Sequence, residues 1–251
     1  MTPPGNTFAR GSAAYALARP RYPRALIDWL LDHTSERRAA WDCATGNGQA
    51  AVDLAPHFDL VHATDISREQ VMRGTELHNV RYSVQPAECT SFGPGSFDLV
   101  TVAQALHWFD LPRFWTEVKR VARPGAFFCA WGYAWLEGPA ELEVELVSPV
   151  RELVAPYWAP QLRMLWQGYR ADDLAFPFEP VPAPDLAIRV RWTVAQLIDY
   201  LRTWSAHQRG LEDPAVGRSL GEVETRALRR LEARGEMELT MPLAVVAGRV
   251  W

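Results

Sequence analysis

The stretch Ala39–Ala51, "AAWDCATGNGQAA", decides how the rest of the chain is read. An apolar run carrying one acid, Asp42, gives way to Gly46-Asn47-Gly48 and then to small apolar residues. That order predicts a short buried strand in AAWDCA, a glycine turn, and a helix through QAAVDLAPHF. Glycines at such a turn let backbone N–H groups and the positive end of a helix come close to a ligand. Gly46-x-Gly48-x-x-Ala51 fits the nucleotide-binding pattern GxGxxG/A.

Outward from the turn the pattern repeats. LVHATD (60–65) reads as a strand ending in Asp65, at the offset where a carboxylate accepts both hydroxyl hydrogens of a ribose. SREQVMRG reads as a helix capped by Ser67, and NVRYSV as a third strand. After the turn GPGS comes the strand SFDLVTVAQAL, then a helix LPRFWTEVKRVA stopped by RPG, then the buried strand AFFCAWGY. Upstream, RALIDWLLDH (24–33) has the apolar spacing of an amphipathic helix. Five strands alternating with helices between residues 39 and 133 predict a doubly wound, mostly parallel α/β sheet.

Past residue 133 the alternation breaks. Residues 137 to 185 are rich in Trp and Pro with helix-like runs, which predicts a helical cap over the carboxyl edge of the sheet. DLAIRVRW, the helix TVAQLIDYLRTW and the late strand MELTMPLAVVAGRV are expected to return the chain to the sheet. The expected plan is one domain over 1–251: lid helices (1–38), a cofactor-binding half (39–133), a cap insertion (134–185) and a C-terminal completion (186–251).

Composition narrows the function. With 251 residues, 48% of them hydrophobic, the chain can bury a sizeable core. A net charge of −4 argues against a partner held by phosphate contacts, so no nucleic acid is expected. Cys43, Cys89 and Cys129 are far apart, form no metal-spaced cluster, and are expected as buried small hydrophobes in a reducing cytoplasm. No signal-like leader and no long apolar span is read, so no membrane partner is expected. The oligomeric expectation is a monomer or a homodimer.

The turn alone does not choose a cofactor, because an adenosine ribose belongs to NAD and to S-adenosylmethionine alike. The plain alternative is a tight turn in which Asp65 only caps the helix near Ser67. The strand's own acid adds more. Asp42-Cys43-Ala44-Thr45-Gly46-Asn47-Gly48 resembles motif I of class I methyltransferases, commonly D/E-x-G-x-G-x-G, with Ala44 in place of the first glycine. Alanine is the mildest such replacement, and it crowds the methionine end slightly. AYALARPRYP (14–23) resembles the Y-x-x-x-R-P-x-Y-P segment of trans-aconitate-methyltransferase-like proteins. AQALHWFD (103–110), QPAEC and WTVAQLIDYLRTWSA are similar to further elements of that group, so the likeness covers most of the chain outside 137–185.

The resemblance implies S-adenosyl-L-methionine as cofactor and a seven-stranded Rossmann-like sheet whose last strand is antiparallel. It implies that Asp42 lies near the methionine ammonium, with Ala44, Thr45, Gly46 and Gly48 lining the cofactor. It places Asp65 on the ribose, Ile66 on the adenine, Ala87 and Glu88 at the adenine edge, and Gln104 under the methionine. Tyr15 and Arg19 close over the cofactor, with Arg19 near its carboxylate. A surface ion pair remains the plain reading of Arg19, and a solvated loop acid that of Glu88.

His107 is the candidate catalytic residue, because it follows the fourth strand at the carboxyl edge where open α/β sheets bind ligands. It can take a proton, orient the acceptor, or make a structural hydrogen bond; methyl transfer from a sulfonium needs positioning more than a base. Trp131, Trp135, Trp158 and Trp166 are read first as core and second as an aromatic acceptor pocket. Arg163 and Arg170 suit a carboxylate or simply face water. Methyl transfer to a small molecule, on oxygen, is the leading expectation. An NAD(P)-linked oxidoreductase and an inactive binding protein on the same fold stay open beside it.

Overall fold

The computed structural model describes residues 20–251, and the chain divides into two compact units. The first holds residues 22–134, 163–186 and 243–251. The second holds 135–162 and 187–242.

The first unit is a sheet. Its strands are β1 (Ala39–Cys43), β2 (Leu60–Asp65), β3 (Val80–Val84), β4 (Phe97–Ala103), β5 (Ala122–Tyr133), β6 (Glu179–Pro180) and residues 243–249 of β8 (Met237–Arg249). β7 (Ala187–Trp192) belongs to the second unit. The sheet order is β3-β2-β1-β4-β5-β8-β6. The first five strands pair in parallel, and β8 runs antiparallel to β5 with Tyr133 opposite Leu243 and Phe127 opposite Arg249. This is the expected mostly parallel sheet with an antiparallel last strand. Its ends are β3, with Arg81 exposed, and the two-residue β6, which contains Pro180.

Sequence explains the central strands directly. β4 is buried from Phe97 to Val102, as a strand covered on both faces must be. In β1, Trp41 is fully buried and donates its indole N–H to Thr64 Oγ1 at 2.8 Å, which satisfies its one polar atom. At the amino ends of β1 and β4 the buried Asp98 accepts from the N–H groups of Arg38 and Ala39 and pairs with Arg123 at 2.7 Å. Helix α1 (Arg24–Asp32) buries Leu26, Ile27, Leu30 and Leu31, each contributing about 1.5–3 kcal/mol.

Helix α2 (Gln49–Leu54) follows the glycine turn, and α3 (Arg68–Val71) is capped by Ser67 as read from the sequence. Helix α4 (Leu111–Val121) is capped by Asp110 and buries Phe114, Trp115, Val118 and Val121. The helix ends at Val121, just before RPG as expected, but RPG does not form a turn separate from the next strand. β5 starts at Ala122 and carries RPG within it, with Gly125 at φ +80° and a register shift opposite Phe97 and Leu99. The N–H groups of Gly95 and Ser96 bond the carbonyls of Arg120 and Val121, which satisfies the end of the helix. Cys43 and Cys129 are buried as expected, but Cys89 is exposed, since it lies on the loop after β3 and not in a strand.

The second unit is mainly helical. β7 pairs antiparallel with residues 237–242 of β8. A π-turn at Glu143–Val147 leads into α5 (Ser148–Val154). Then come α6 (Val194–Arg202), α7 (Ser205–Gly210) and α8 (Pro214–Leu231). Thr193 and Gln196 close a reciprocal capping box on α6. Trp204 is buried with Trp158, Trp135 and Tyr200 around it at ring separations of 5.4 to 6.1 Å. Buried Glu224 joins Arg202 at 2.6 Å and His207 at 3.2 Å.

The stretch 134–185, read as one cap, divides between the units: 135–162 packs with the helices and 163–186 with the sheet. Only the last part of 186–251 completes the sheet, and the sequence reading assigned no element to α7 or α8. No described helix is long and apolar enough to cross a membrane.

Candidate active site

The glycine turn lies at the carboxyl end of β1, and its residues divide the work. Thr45 N–H bonds Thr64 O at 2.9 Å, extending the β1–β2 ladder past the strand, and Gly48 N–H closes the turn on Thr45 O at 3.0 Å. Ala44, Gly46 and Gly48 all have positive φ, at +53°, +59° and +90°. The two glycines then differ in what surrounds them. A side chain at Gly48 would run into the Tyr82 hydroxyl, because that ring fills the space beside the turn. A side chain at Gly46 would meet nothing within 4 Å. Gly48 therefore serves internal packing, and Gly46 leaves a face open. Ala44 holds a left-handed conformation that costs an L-residue about 1–2 kcal/mol.

Asp42 is completely buried beneath this turn. Thr45 donates to one carboxylate oxygen, and Thr101 donates to the other at 3.0 Å from the position paired with Asp42 in β4. Burial pushes its pKa up to about 6 despite these hydrogen bonds. The carboxylate thus organises the turn and retains an unmet demand for positive charge.

Asp65, at the end of β2, bridges the turn to the next loop. Its two oxygens accept from Gly46 N–H at 2.9 Å and Ser67 N–H at 2.8 Å. It does not cap α3, since Ser67 does that. Each carboxylate oxygen has a second lone pair, so a ribose diol can be accepted without breaking either bond. Burial raises the Asp65 pKa. Beside it Ile66 is 59% exposed, an apolar side chain free to pack against a flat ring. The loop after β3 is fastened by Glu117, which accepts from Thr90 N–H at 2.7 Å and pairs with Arg120. On that loop Ala87 is buried, and Glu88 accepts from Asp110 N–H at 3.0 Å, joining it to the start of α4. An open turn face, a ribose-type acid and an exposed apolar neighbour fit an adenosine-type cofactor.

At the carboxyl end of β4, Gln104 has φ +59°, and its N–H bonds Trp131 O at 2.8 Å. A side chain at Gly132 would meet Leu165 at 2.7 Å and the Gln104 amide at 3.0 Å, so the segment 163–169 sits tightly on the ends of β4 and β5. Three residues beyond Gln104, His107 is 2% exposed, and its Nδ1 lies 2.7 Å from the Tyr169 hydroxyl. Burial holds His107 down to about 4, so it is neutral at physiological pH, and pushes the Tyr169 hydroxyl far up. Sequence reasoning missed Tyr169, Thr101 and Tyr82. Tyr15 and Arg19 lie outside the described residues; of the segment they belong to, Tyr22 packs edge-on against Trp131 at 5.4 Å. Arg170 faces solvent beside Asp173.

The parallel sheet, its antiparallel last strand and the adenosine-type site at its carboxyl edge define a methyltransferase-type fold. Comparison with known proteins agrees. Residues 41–130 match the family model described as a methyltransferase domain. A Dictyostelium discoideum protein named as a methyltransferase is 30% identical over 204 residues, or 80% of this chain and 77% of that protein. A Saccharomyces cerevisiae protein named as an S-adenosylmethionine-dependent methyltransferase is 26% identical over 230 residues, or 78% of this chain and 79% of that protein. A solved Anaeromyxobacter dehalogenans structure, assigned to the type II methyltransferases, has a TM-score of 0.77 at 39% identity and covers 92% of this chain and 98% of its own. The chain belongs to the class I S-adenosylmethionine-dependent methyltransferases, and the likenesses favour methyl transfer over nicotinamide chemistry.

Proposed function

We propose that this enzyme methylates an oxygen atom of a small-molecule acceptor, as a member of the trans-aconitate-methyltransferase-like group that its RPRYP and AQALHWFD segments resemble. The observation that carries the small-acceptor reading is the enclosed end of β4, where Leu165 and Tyr169 pack over Gly132, Gln104 and His107. The net charge of −4 points the same way, since a nucleic-acid acceptor would ask for a basic surface.

In this reading Asp65 holds the ribose, Ile66 packs on the adenine, and Ala87 lies at the adenine edge. Glu88 meets the adenine edge, and Gly46 gives the backbone its close approach. Asp42 faces the methionine ammonium through the turn, with Ala44 and Thr45 lining it, and Gln104 lies beneath. Tyr15 and Arg19 complete the closure. When bound, S-adenosylmethionine supplies the activated methyl group. The protein's residues hold the acceptor in line with it, exclude water and leave proton transfer in a minor role.

Two measurements test this. S-adenosylhomocysteine, not NAD, is expected to raise the melting temperature, because binding to the folded state alone stabilises it. Methyl-labelled S-adenosylmethionine with a small-molecule extract is expected to yield labelled, extractable product with the methyl on oxygen. Label found only in nucleic acid or protein defeats the small-acceptor reading, and label on nitrogen defeats the oxygen assignment.

A further inference from the structure

Resting on the proposed methyl transfer, with the candidate residue His107 orienting the acceptor, we propose that Tyr169 is a positioning residue for that step. Its hydroxyl donates to His107 Nδ1 and fixes the imidazole in the Nε2–H form, so that His107 meets the acceptor as a hydrogen-bond donor and not as a base.

The geometry begins in the backbone. The helical turn Arg163–Trp166 ends on Gly168 at φ +86°, with Gly168 N–H on Leu165 O at 2.9 Å and Tyr169 N–H on Met164 O at 3.0 Å. This paired closure with a left-handed glycine is a Schellman ending. It leaves Tyr169 itself at φ +51°, a conformation that a bulky L-residue adopts only when its surroundings compel it. Those surroundings are His107, 2.7 Å from the hydroxyl, with the two rings nearly parallel at 26°. Tyr169 and His107 are each only 2% exposed.

The direction of the hydrogen bond follows from counting donors. The Tyr169 hydroxyl proton, which burial keeps on the oxygen, has His107 Nδ1 as its partner among the described residues. If Nδ1 carried a proton instead, it would point at a hydroxyl left with no acceptor for its hydrogen, a buried donor unsatisfied at a cost that native structures avoid. With Nδ1 accepting, a neutral imidazole must carry its proton on Nε2. Burial also disfavours the imidazolium, so the ring is a poor proton acceptor in any case.

This sets the chemistry of the step. The acceptor's lone pair forms the new bond to the methyl carbon. The carbon–sulfur bond breaks with its electron pair passing to sulfur. A carboxylate acceptor has no proton to lose, and a proton on any other acceptor oxygen passes to solvent water, not to His107.

The test is ¹⁵N NMR of histidine-labelled protein with S-adenosylhomocysteine, with His107 assigned through His107→Gln. The expected result is one neutral tautomer with Nε2 protonated and Nδ1 bare, and loss of that single-tautomer signature in Tyr169→Phe, which keeps the ring and removes the hydroxyl. Nδ1–H with bare Nε2 in the unmodified enzyme overturns the proposal, and so does an unchanged tautomer in Tyr169→Phe. The first reading needs no variant, so a Tyr169→Phe protein that fails to fold does not remove the test. Should S-adenosylhomocysteine fail to bind at all, the functional reading falls, while the tautomer of the free protein still decides the Tyr169 assignment.

Discussion

The carboxyl ends of β1 and β4 solve one problem in opposite ways. Each buries a titratable side chain against a hydroxyl: Asp42 against Thr45 and Thr101, His107 against Tyr169. Burial drives each towards its neutral form, which moves Asp42 up to about 6 and His107 down to about 4. The end of β1 draws Thr45 and the glycine turn from the run Asp42 to Gly48 itself and takes only the second hydroxyl, Thr101, from 59 residues away. The end of β4 needs Tyr169, from a segment 62 residues away. A site whose partners are local can be read as a motif, and one closed from afar cannot.

The largest test is pH. Between pH 3.8 and about 6 the folded protein holds a proton on Asp42 that the unfolded chain has released, so this residue's contribution to stability falls as pH rises. Between about 4 and 6.5 the unfolded chain holds the proton that folded His107 lacks, so its contribution falls as pH drops. Each amounts to about 3 kcal/mol across its window, and in the native protein they largely offset one another. In urea titrations Asp42→Asn is expected to reveal the His107 slope, with stability rising from pH 4 to 6.5. His107→Gln is expected to reveal the reverse slope. Two variants with the same pH dependence as the parent would end the comparison.

Next comes the contrast within the turn. Gly48→Ala meets both a forbidding φ and the Tyr82 ring, and is expected to lower stability by about 2–3 kcal/mol. Gly46→Ala meets only the φ term, about 1 kcal/mol, yet should weaken S-adenosylhomocysteine binding through the lost open face. Equal losses of stability and unequal binding in the wrong order would reverse the roles assigned to the two glycines.

Asp65→Ala is expected to weaken S-adenosylhomocysteine by about 2 kcal/mol in calorimetry, the range for hydrogen bonds to a charged group. An unchanged dissociation constant would confine Asp65 to its bonds with Gly46 and Ser67. The smallest effect belongs to Ala44→Gly. Relief of the left-handed backbone is partly cancelled by the freer unfolded chain, leaving a gain of about 0.5 kcal/mol in denaturant unfolding.

The sequence made the sheet legible because its strands are short apolar runs punctuated by turn residues, and β1 to β5 all lie where those runs are. RPG stops α4 as read, but the strand after the helix starts at Ala122, four residues before AFFCAWGY, so the turn signature sits inside β5. Helix α8 went unread, although Asp213 and Pro214 form an ordinary helix start. In the site, Asp65 and Gly46 could be found from spacing. Thr101 could not, since only the register of β1 on β4 sets it opposite Asp42. Tyr169 carried one faint signal, the glycine before it at the end of a helix-like run, with nothing local to say which residue it would reach.

The two ends of the sheet order bear on how this protein behaves in a crowd. An edge strand offers unpaired N–H and C=O groups to any extended chain that drifts past, and is where fibrous growth starts. Here β3 is only five residues long and carries the exposed Arg81, whose guanidinium is turned onto the carbonyls of His78 and Val80. β6 is two residues long, and Pro180 has no N–H to offer. One end is guarded by charge and brevity, the other by a missing hydrogen-bond donor, so neither makes a good template for a foreign strand.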